Sequence, residues 1–290
     1  MIERTPAWTL AVGAMLSVQV GAALSTHLFP AIGPVGTVWL RLTVAALFFL
    51  AIARPRFTGL TARDLAAPAL LGVMTGVMTV FFVLALDRIA LGTVVAIEFL
   101  GPLSVAVVRS GSRRGLLWPL LAFAGVVLLT EPWTGEIDPL GVLYAALAAV
   151  GWAAYIVLTQ KVGDRFSGLQ GLALTMPVAA VVAAIVGVPQ AIGGLTWQVL
   201  AVGAALALLL PIIPFALELQ ALRRLTTAAF GTLMALEPAI ATLVGAVLLT
   251  QVPGPVQVLG VALVVVAGVG AERSGHRDDG PPDVVGEGTA

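Results

Sequence analysis

The chain contains no cysteine, which excludes a disulfide framework, thiolate metal sites and cysteine nucleophiles together. Charge is nearly as scarce. Asp, Glu, Lys and Arg make up 10% of the 290 residues, against about 25% in soluble domains. Of the two histidines, His276 lies in a polar C-terminal stretch, so no histidine cluster is available to hold a metal. The net charge is zero, and the charges sit in short loops without forming a basic patch for nucleic acid. HExxH, a glycine-rich phosphate loop and a GxSxG elbow are all missing. What remains is apolar: 59% hydrophobic residues and a mean hydropathy of +1.05. Such a chain belongs in a lipid bilayer.

A membrane span needs about 20 mostly apolar residues. Runs of that kind give an all-α polytopic chain of about ten spans, at 8–28, 35–53, 66–86, 89–108, 116–130, 139–160, 169–188, 197–221, 226–249 and 254–271. The first follows a single basic residue and leads straight into further spans, so it reads as a retained helix and not as a signal peptide. Residues 272–290, rich in Gly, Pro and Asp, read as a disordered cytoplasmic tail.

The basic residues set the topology. With the N-terminus in the cytoplasm, Arg4, Arg54, Arg56, Arg63, Arg109, Arg113, Arg114, Lys161, Arg165, Arg223, Arg224, Arg273 and Arg277 all fall inside. Only Arg88 falls outside, as does the acidic loop EPWTGEID, and Arg41 falls within a span. This is the positive-inside distribution, with both termini cytoplasmic. Five spans per half is an odd number, so a second half of similar design (139–271) enters the membrane inverted relative to the first (8–130). Inverted repeats around a midplane site are a recurrent transporter design. ALDRIALGTVVAIEFLGP (85–102) aligns with ALRRLTTAAFGTLMALEP (221–238), and Gly125-Val126 with Gly260-Val261 after one residue of slippage.

Two glutamates lie mid-span in corresponding parts of the halves, Glu98 and Glu237. A carboxylate at that depth costs about 2.5–3.5 kcal/mol or more if unpaired, and intramembrane ionisable residues are functional by default. Both are candidate proton carriers; the competing reading is a structural ion pair. Near Glu98, Gly101 permits close backbone approach, and Pro102 withholds the hydrogen bond from the carbonyl one turn earlier. Glu237 is followed by Pro238. Arg41, the sole basic residue inside a span, needs an anion or a wet cavity. It either pairs with a glutamate or clamps a substrate carboxylate. Pro211, Pro214 and Glu218 fall on one side of the eighth span, whose two prolines predict a kinked or broken helix. Gln19 shares a face of the first span with Thr26 and His27, and Trp152, Tyr155 and Thr159 form an aromatic-polar stripe on the sixth. The spans hold no aspartate and His27 as their only histidine, so an intramembrane hydrolase has no residues to work with.

SVQVGAALSTHLFPAIGPVG followed by LRL, ALGTVVAIEFLGPLSVAV, GWAAYIVLTQKVG and PFALELQALRRLTTAAFGTLMALEPA together resemble the drug/metabolite transporter superfamily, EamA type. Within it, AIEFLGP and FGTLMxxEPA resemble the bacterial inner-membrane exporters of threonine and homoserine. The resemblance runs from about residue 15 to 270. It implies two EamA repeats around a central cavity, and export of small amino acids against proton entry with no cofactor. Gln19, Arg41, Glu98, Trp152, Tyr155, Glu218 and Glu237 are the positions that it carries over. The alternatives are export of other small metabolites or lipophilic cationic drugs, and, less well supported, a non-transporting scaffold or enzyme.

Overall fold

The computed structural model describes residues 6–55, 61–110, 116–163, 166, 169–214, 217 and 233–274, and every regular element among them is helical. Helix α1 (Ala7–Ser25) continues through a 3-10 turn (Thr26–Leu28) into the short α2 (Phe29–Ile32). Gly33 then turns the chain at φ +72°, a conformation that side-chain-bearing residues avoid, and Pro34 opens α3 (Pro34–Ala53). Next come α4 (Ala62–Leu86), α5 (Leu91–Glu98), α6 (Leu100–Ser110) and α7 (Leu117–Thr130). They are followed by α8 (Pro139–Gly163), α9 (Gln170–Ala191) and α10 (Trp197–Ala207), which runs into a π-helical turn (Leu208–Ile212). Helices α11 (Glu237–Leu248) and α12 (Pro255–Ser274) close the chain.

Five of these runs are long and apolar enough to cross a bilayer: Trp8–Ile32, Pro34–Ala53, Asp64–Leu86, Pro139–Thr159 and Gln170–Ala191. Five shorter apolar runs, Leu91–Val105, Leu117–Thr130, Trp197–Ile212, Glu237–Leu248 and Pro255–Ala271, take the remaining places in the expected order.

The boundaries differ where local chemistry overrides hydropathy. The first run extends to Ile32 because the 3-10 turn bends it without ending it. Helix α4 begins at Ala62, ahead of its apolar stretch, because Thr61 and Asp64 form a capping box. The fourth span is two helices that meet at Phe99. Helix α12 reaches Ser274, three residues into the expected tail, since Glu272, Arg273 and Ser274 include no helix breaker. Residues 275–290 lie outside the described residues, as do 226–232 of the ninth expected span.

The bundle is small inside and bulky outside. Ala14, Ala22, Ala45, Ala145, Ala179 and Ala241 are fully buried, while Leu47, Phe123, Val150, Ile185 and Val247 point outward. That inversion of size lets backbones approach closely where van der Waals packing must replace the hydrophobic effect. A Cβ on Gly125 of α7 would lie 2.6 Å from the Gly260 carbonyl of α12, and one on Gly260 would lie 2.7 Å from the Gly125 carbonyl. Helix α3 packs on α9, α5 on α11 and α7 on α12; α4 packs on both α8 and α9. Helix α1 lies against α11, α10 and the π-helical turn.

Bare N–H groups at helix ends inside such a bundle are costly. Glutamines from neighbouring elements satisfy two of those ends. Gln190 Oε1 accepts from the N–H groups of Val35 (3.0 Å) and Gly36 (3.2 Å) at the start of α3. Gln251 Oε1 accepts from Leu91 N–H (2.9 Å) at the start of α5.

Candidate functional site

Helix α1 carries the centre of the site. Gln19, 1% exposed, donates from Nε2 to Oε1 of Glu237 at 3.2 Å. Six residues further on, Ser25 accepts from Arg41 Nη1 at 2.7 Å, and its own hydroxyl donates to the Gly21 carbonyl at 2.5 Å. Six residues advance about 9 Å along a helix and turn about 240°. Gln19 and Ser25 therefore reach different neighbours, α11 and α3.

Arg41 is 2% exposed, yet no carboxylate among the described residues lies within ion-pairing distance of it. Its Nε has no hydrogen-bond partner among the described residues either. Of the two readings of Arg41, a pair with Glu98 or Glu237 and a clamp for a substrate carboxylate, the pair is not formed among the described residues. Ser25 gave little sign of this role, because a single serine in an apolar span reads as a small packing residue.

Glu98 ends α5 and is 7% exposed; Glu237 begins α11 and is 6% exposed. The two helices pack together. The two carboxyl groups differ in their surroundings. Glu237 is held by Gln19 at the positive end of α11. The Glu98 carboxyl hydrogen-bonds none of the described residues, and its backbone carbonyl faces a residue, Pro102, with no N–H to give.

Helix breaks flank this cluster. A Cβ on Gly101 would collide with the Ala149 carbonyl, so α6 presses its backbone on α8 just beyond Glu98. In the π-helical turn Leu210 is extended (φ −155°, ψ 107°) and its bond to Pro211 is cis. The Leu209 carbonyl beside it accepts from Ser17 Oγ of α1 at 2.8 Å, which satisfies a group that the broken helix leaves open. Pro214 is buried. Pro238 sits in the first turn of α11, where a missing N–H costs nothing. Glu218 lies outside the described residues.

Trp152 and Tyr155 are half-buried on α8, a helix that packs on α4, α5 and α6. Tyr155 joins a cluster with Leu71, Leu158, Val162 and Phe166. At the end of the bundle where Arg88 emerges, Arg88 Nη1 donates to Asp138 Oδ2 at 2.7 Å. That hydrogen bond, with the N–H groups of Leu140 and Gly141, holds the Asp138 carboxyl below the usual aspartate range, and Asp138 holds Arg88 up in return.

Among the described residues, ten apolar helical runs, two of them broken beside a buried arginine and a pair of glutamates, are those of a polytopic membrane protein. The chain belongs to the EamA-like transporter family, whose pattern matches residues 139–270. It is 34% identical over 287 residues to the threonine/homoserine exporter RhtA of Escherichia coli (strain K12), covering 96% of each chain. To the threonine/homoserine exporter RhtA of Salmonella typhimurium (strain SL1344) it is 34% identical over 272 residues, covering 91% of this chain and 90% of that one. A protein of known crystal structure shares the fold, with a TM-score of 0.57 and 21% identity over 92% of this chain and 95% of the other.

Proposed function

We propose that this protein exports threonine, homoserine or similar small amino acids across the bacterial inner membrane in exchange for protons. The observation that carries the proposal is Arg41, a buried guanidinium that hydrogen-bonds Ser25 and has no described carboxylate within ion-pairing distance. A cation kept in that state suits an incoming carboxylate, which a guanidinium binds in two-pronged fashion. The anionic half of the site is Glu98 with Glu237. An amino-acid zwitterion separates its charges by about 3 Å. With a charge-assisted hydrogen bond of about 2.8 Å at each end, it spans about 9 Å. The names of the exporters at 34% identity point to the same substrates.

The division of labour follows from the surroundings. Glu98, whose carboxyl hydrogen-bonds none of the described residues, exchanges the proton; Glu237, fixed by Gln19, keeps its place and orients the ammonium group.

Alternating access rests on a two-fold relation between residues 8–130 and 139–271. Helix packing supports it. Contacts α3–α9, α5–α11 and α7–α12 each join a span to the one five places later. Three further sets are matched in the same way: α4–α8 with α1–α10, α4–α9 with α3–α10, and α5–α8 with α1–α11. Gly125 and Gly260, equated by the sequence alignment, face each other. Both termini lie in the cytoplasm in this reading, as the arginine distribution requires.

The test is efflux of labelled threonine and homoserine from loaded proteoliposomes, with and without a pH gradient, for wild type, Glu98→Gln and Arg41→Ala. Gradient-driven efflux that loses its pH dependence in Glu98→Gln and disappears in Arg41→Ala is the expected result. Export of a lipophilic cation that survives Arg41→Ala would favour the alternative of a cationic-drug exporter, for which the glutamates suffice.

A further inference from the structure

A cavity of about 280 Å³ opens between α5, α11 and the chain leading into α12, lined by Gly92, Thr93, Thr242, Gln251, Val252 and Gln257 among others. It contains no charged side chain, and its polar groups are mainly donors. Gln251 spends Oε1 on Leu91 N–H and Gln257 spends Oε1 on Gly254 N–H (3.0 Å), so each keeps its Nε2 to offer. The N–H groups of Gly92 and Thr93, in the first turn of α5, hydrogen-bond none of the described residues. Thr93 is 5% exposed, lines the cavity, and its hydroxyl is likewise without a hydrogen bond among the described residues. Free first-turn N–H groups and a helix dipole favour an anion. The volume, near the lower end of the roughly 300–1,000 Å³ of small-molecule sites, suits one small metabolite.

The cavity also lies in line with the central site. Thr93 is five residues from Glu98 on α5, and Thr242 is five residues from Glu237 on the antiparallel α11, about 7.5 Å of rise in each case. Both steps lead to the end of the bundle where the loops 87–90, 131–138 and 249–254 emerge, the end that the arginine distribution places outside.

We propose that this cavity is an outer exit subsite, which holds the carboxylate of a departing amino acid on the Gly92 and Thr93 N–H groups, the Thr93 hydroxyl and the Gln251 and Gln257 amides. The proposal rests on the amino-acid exporter reading for the identity of its ligand, but its test does not depend on flux.

The absence of cysteine makes the test direct. Val252 lines the cavity and is 79% exposed, so Val252→Cys creates a single thiol for a membrane-impermeant maleimide. L-threonine in the outer solution is expected to slow alkylation, and threoninol, which lacks the carboxylate, is expected not to. Adding Thr93→Val should raise the threonine concentration for half-protection about fivefold, the loss of one hydrogen bond of about 1 kcal/mol. Adding Arg41→Ala should leave protection in place. Equal protection by threoninol or by inorganic phosphate would overturn the proposal, as would loss of protection in Arg41→Ala, which would trace it to the central site. The threoninol comparison decides the matter even if Thr93→Val fails to fold. Labelled-threonine efflux measured on the same protein separates the two readings. Efflux without protection removes the exit subsite and leaves the exporter; protection without efflux removes the exporter and leaves an amino-acid site.

Discussion

Gln19 and Glu237 stand 218 residues apart in the chain and meet at 3.2 Å, the amide of α1 donating to the carboxylate of α11. Helix α1 thereby ties the first residues of the protein to a glutamate near the end of the second half. The same helix holds Arg41 through Ser25 and the broken α10 through Ser17. Three polar side chains, each directed to a different neighbour, make an otherwise apolar helix the shared frame of the site. A carrier that moves one half against the other must break or carry these links as it works.

Gln19→Leu removes the donor from a buried carboxylate. Hydrogen bonds to charged groups contribute about 1.5–3 kcal/mol, so the variant is expected to melt at lower temperature in detergent and to lose most threonine efflux. Gln19→Asn keeps the amide but shortens its reach by one methylene, and is expected to behave nearly as badly. Wild-type efflux and melting in Gln19→Asn would show that the bond to Glu237 is dispensable.

Ser25→Ala removes the hydroxyl that fixes Arg41 and leaves the guanidinium in place. The expected outcome is a rise in the threonine concentration needed for half-maximal efflux, with a smaller fall in maximal rate, since positioning is lost and the charge is retained. Arg41→Lys keeps the charge but not the planar fork and is expected to be more damaging than Ser25→Ala. The reverse order, measured in proteoliposomes, would mean that Arg41 acts only as a buried point charge.

The order of the spans was legible in the chain because hydropathy acts along the sequence. The breaks at Phe99 and Leu210 were legible too, since Gly101-Pro102 and Pro211 with Pro214 mark them. The partners were not. Nothing in the sequence ties Gln19 to Glu237 or Ser25 to Arg41, because each contact is made between helices whose rotation is set by packing. The capping glutamines, Gln190 and Gln251, were missed for a simpler reason: an amide at the end of a span reads as an interfacial residue. An amide beside a proline- or glycine-led helix start would have been the signal to look for. Trp152 and Tyr155 stand out as a stripe on α8, a spacing that fits packing against α4 as well as a place in the site.

Gly125→Leu is expected to disrupt the α7–α12 contact. Even the first carbon of the side chain would sit 2.6 Å from the Gly260 carbonyl, and overpacking of this kind costs about 1–3 kcal/mol. Gly125→Ala should give the smaller share of that loss and Gly125→Leu the larger, read as melting temperature in detergent. No difference between the three proteins would place the crossing elsewhere.

The Arg88–Asp138 pair gives a pH dependence with a definite sign. Asp138 has its folded carboxyl held below the ordinary aspartate range by the Arg88 hydrogen bond first and by the Leu140 and Gly141 N–H groups after it. Its contribution to stability is therefore present above the unfolded pKa and is lost as pH falls through the depressed folded value. Arg88, raised by the same contact, stays charged throughout. Asp138→Asn keeps an oxygen for the Leu140 and Gly141 N–H groups but gives up the charge, whereas Asp138→Ala gives up both. At neutral pH the melting temperatures should fall in the order wild type, Asn, Ala. In acid, wild type and Asn should converge, because protonation makes the aspartate resemble the amide, and Ala should remain below both because the cap of α8 is still missing. Convergence of all three in acid would mean that the cap contributes nothing. A wild-type advantage over Asn that persists in acid would mean that the pair with Arg88 is not what the carboxylate supplies.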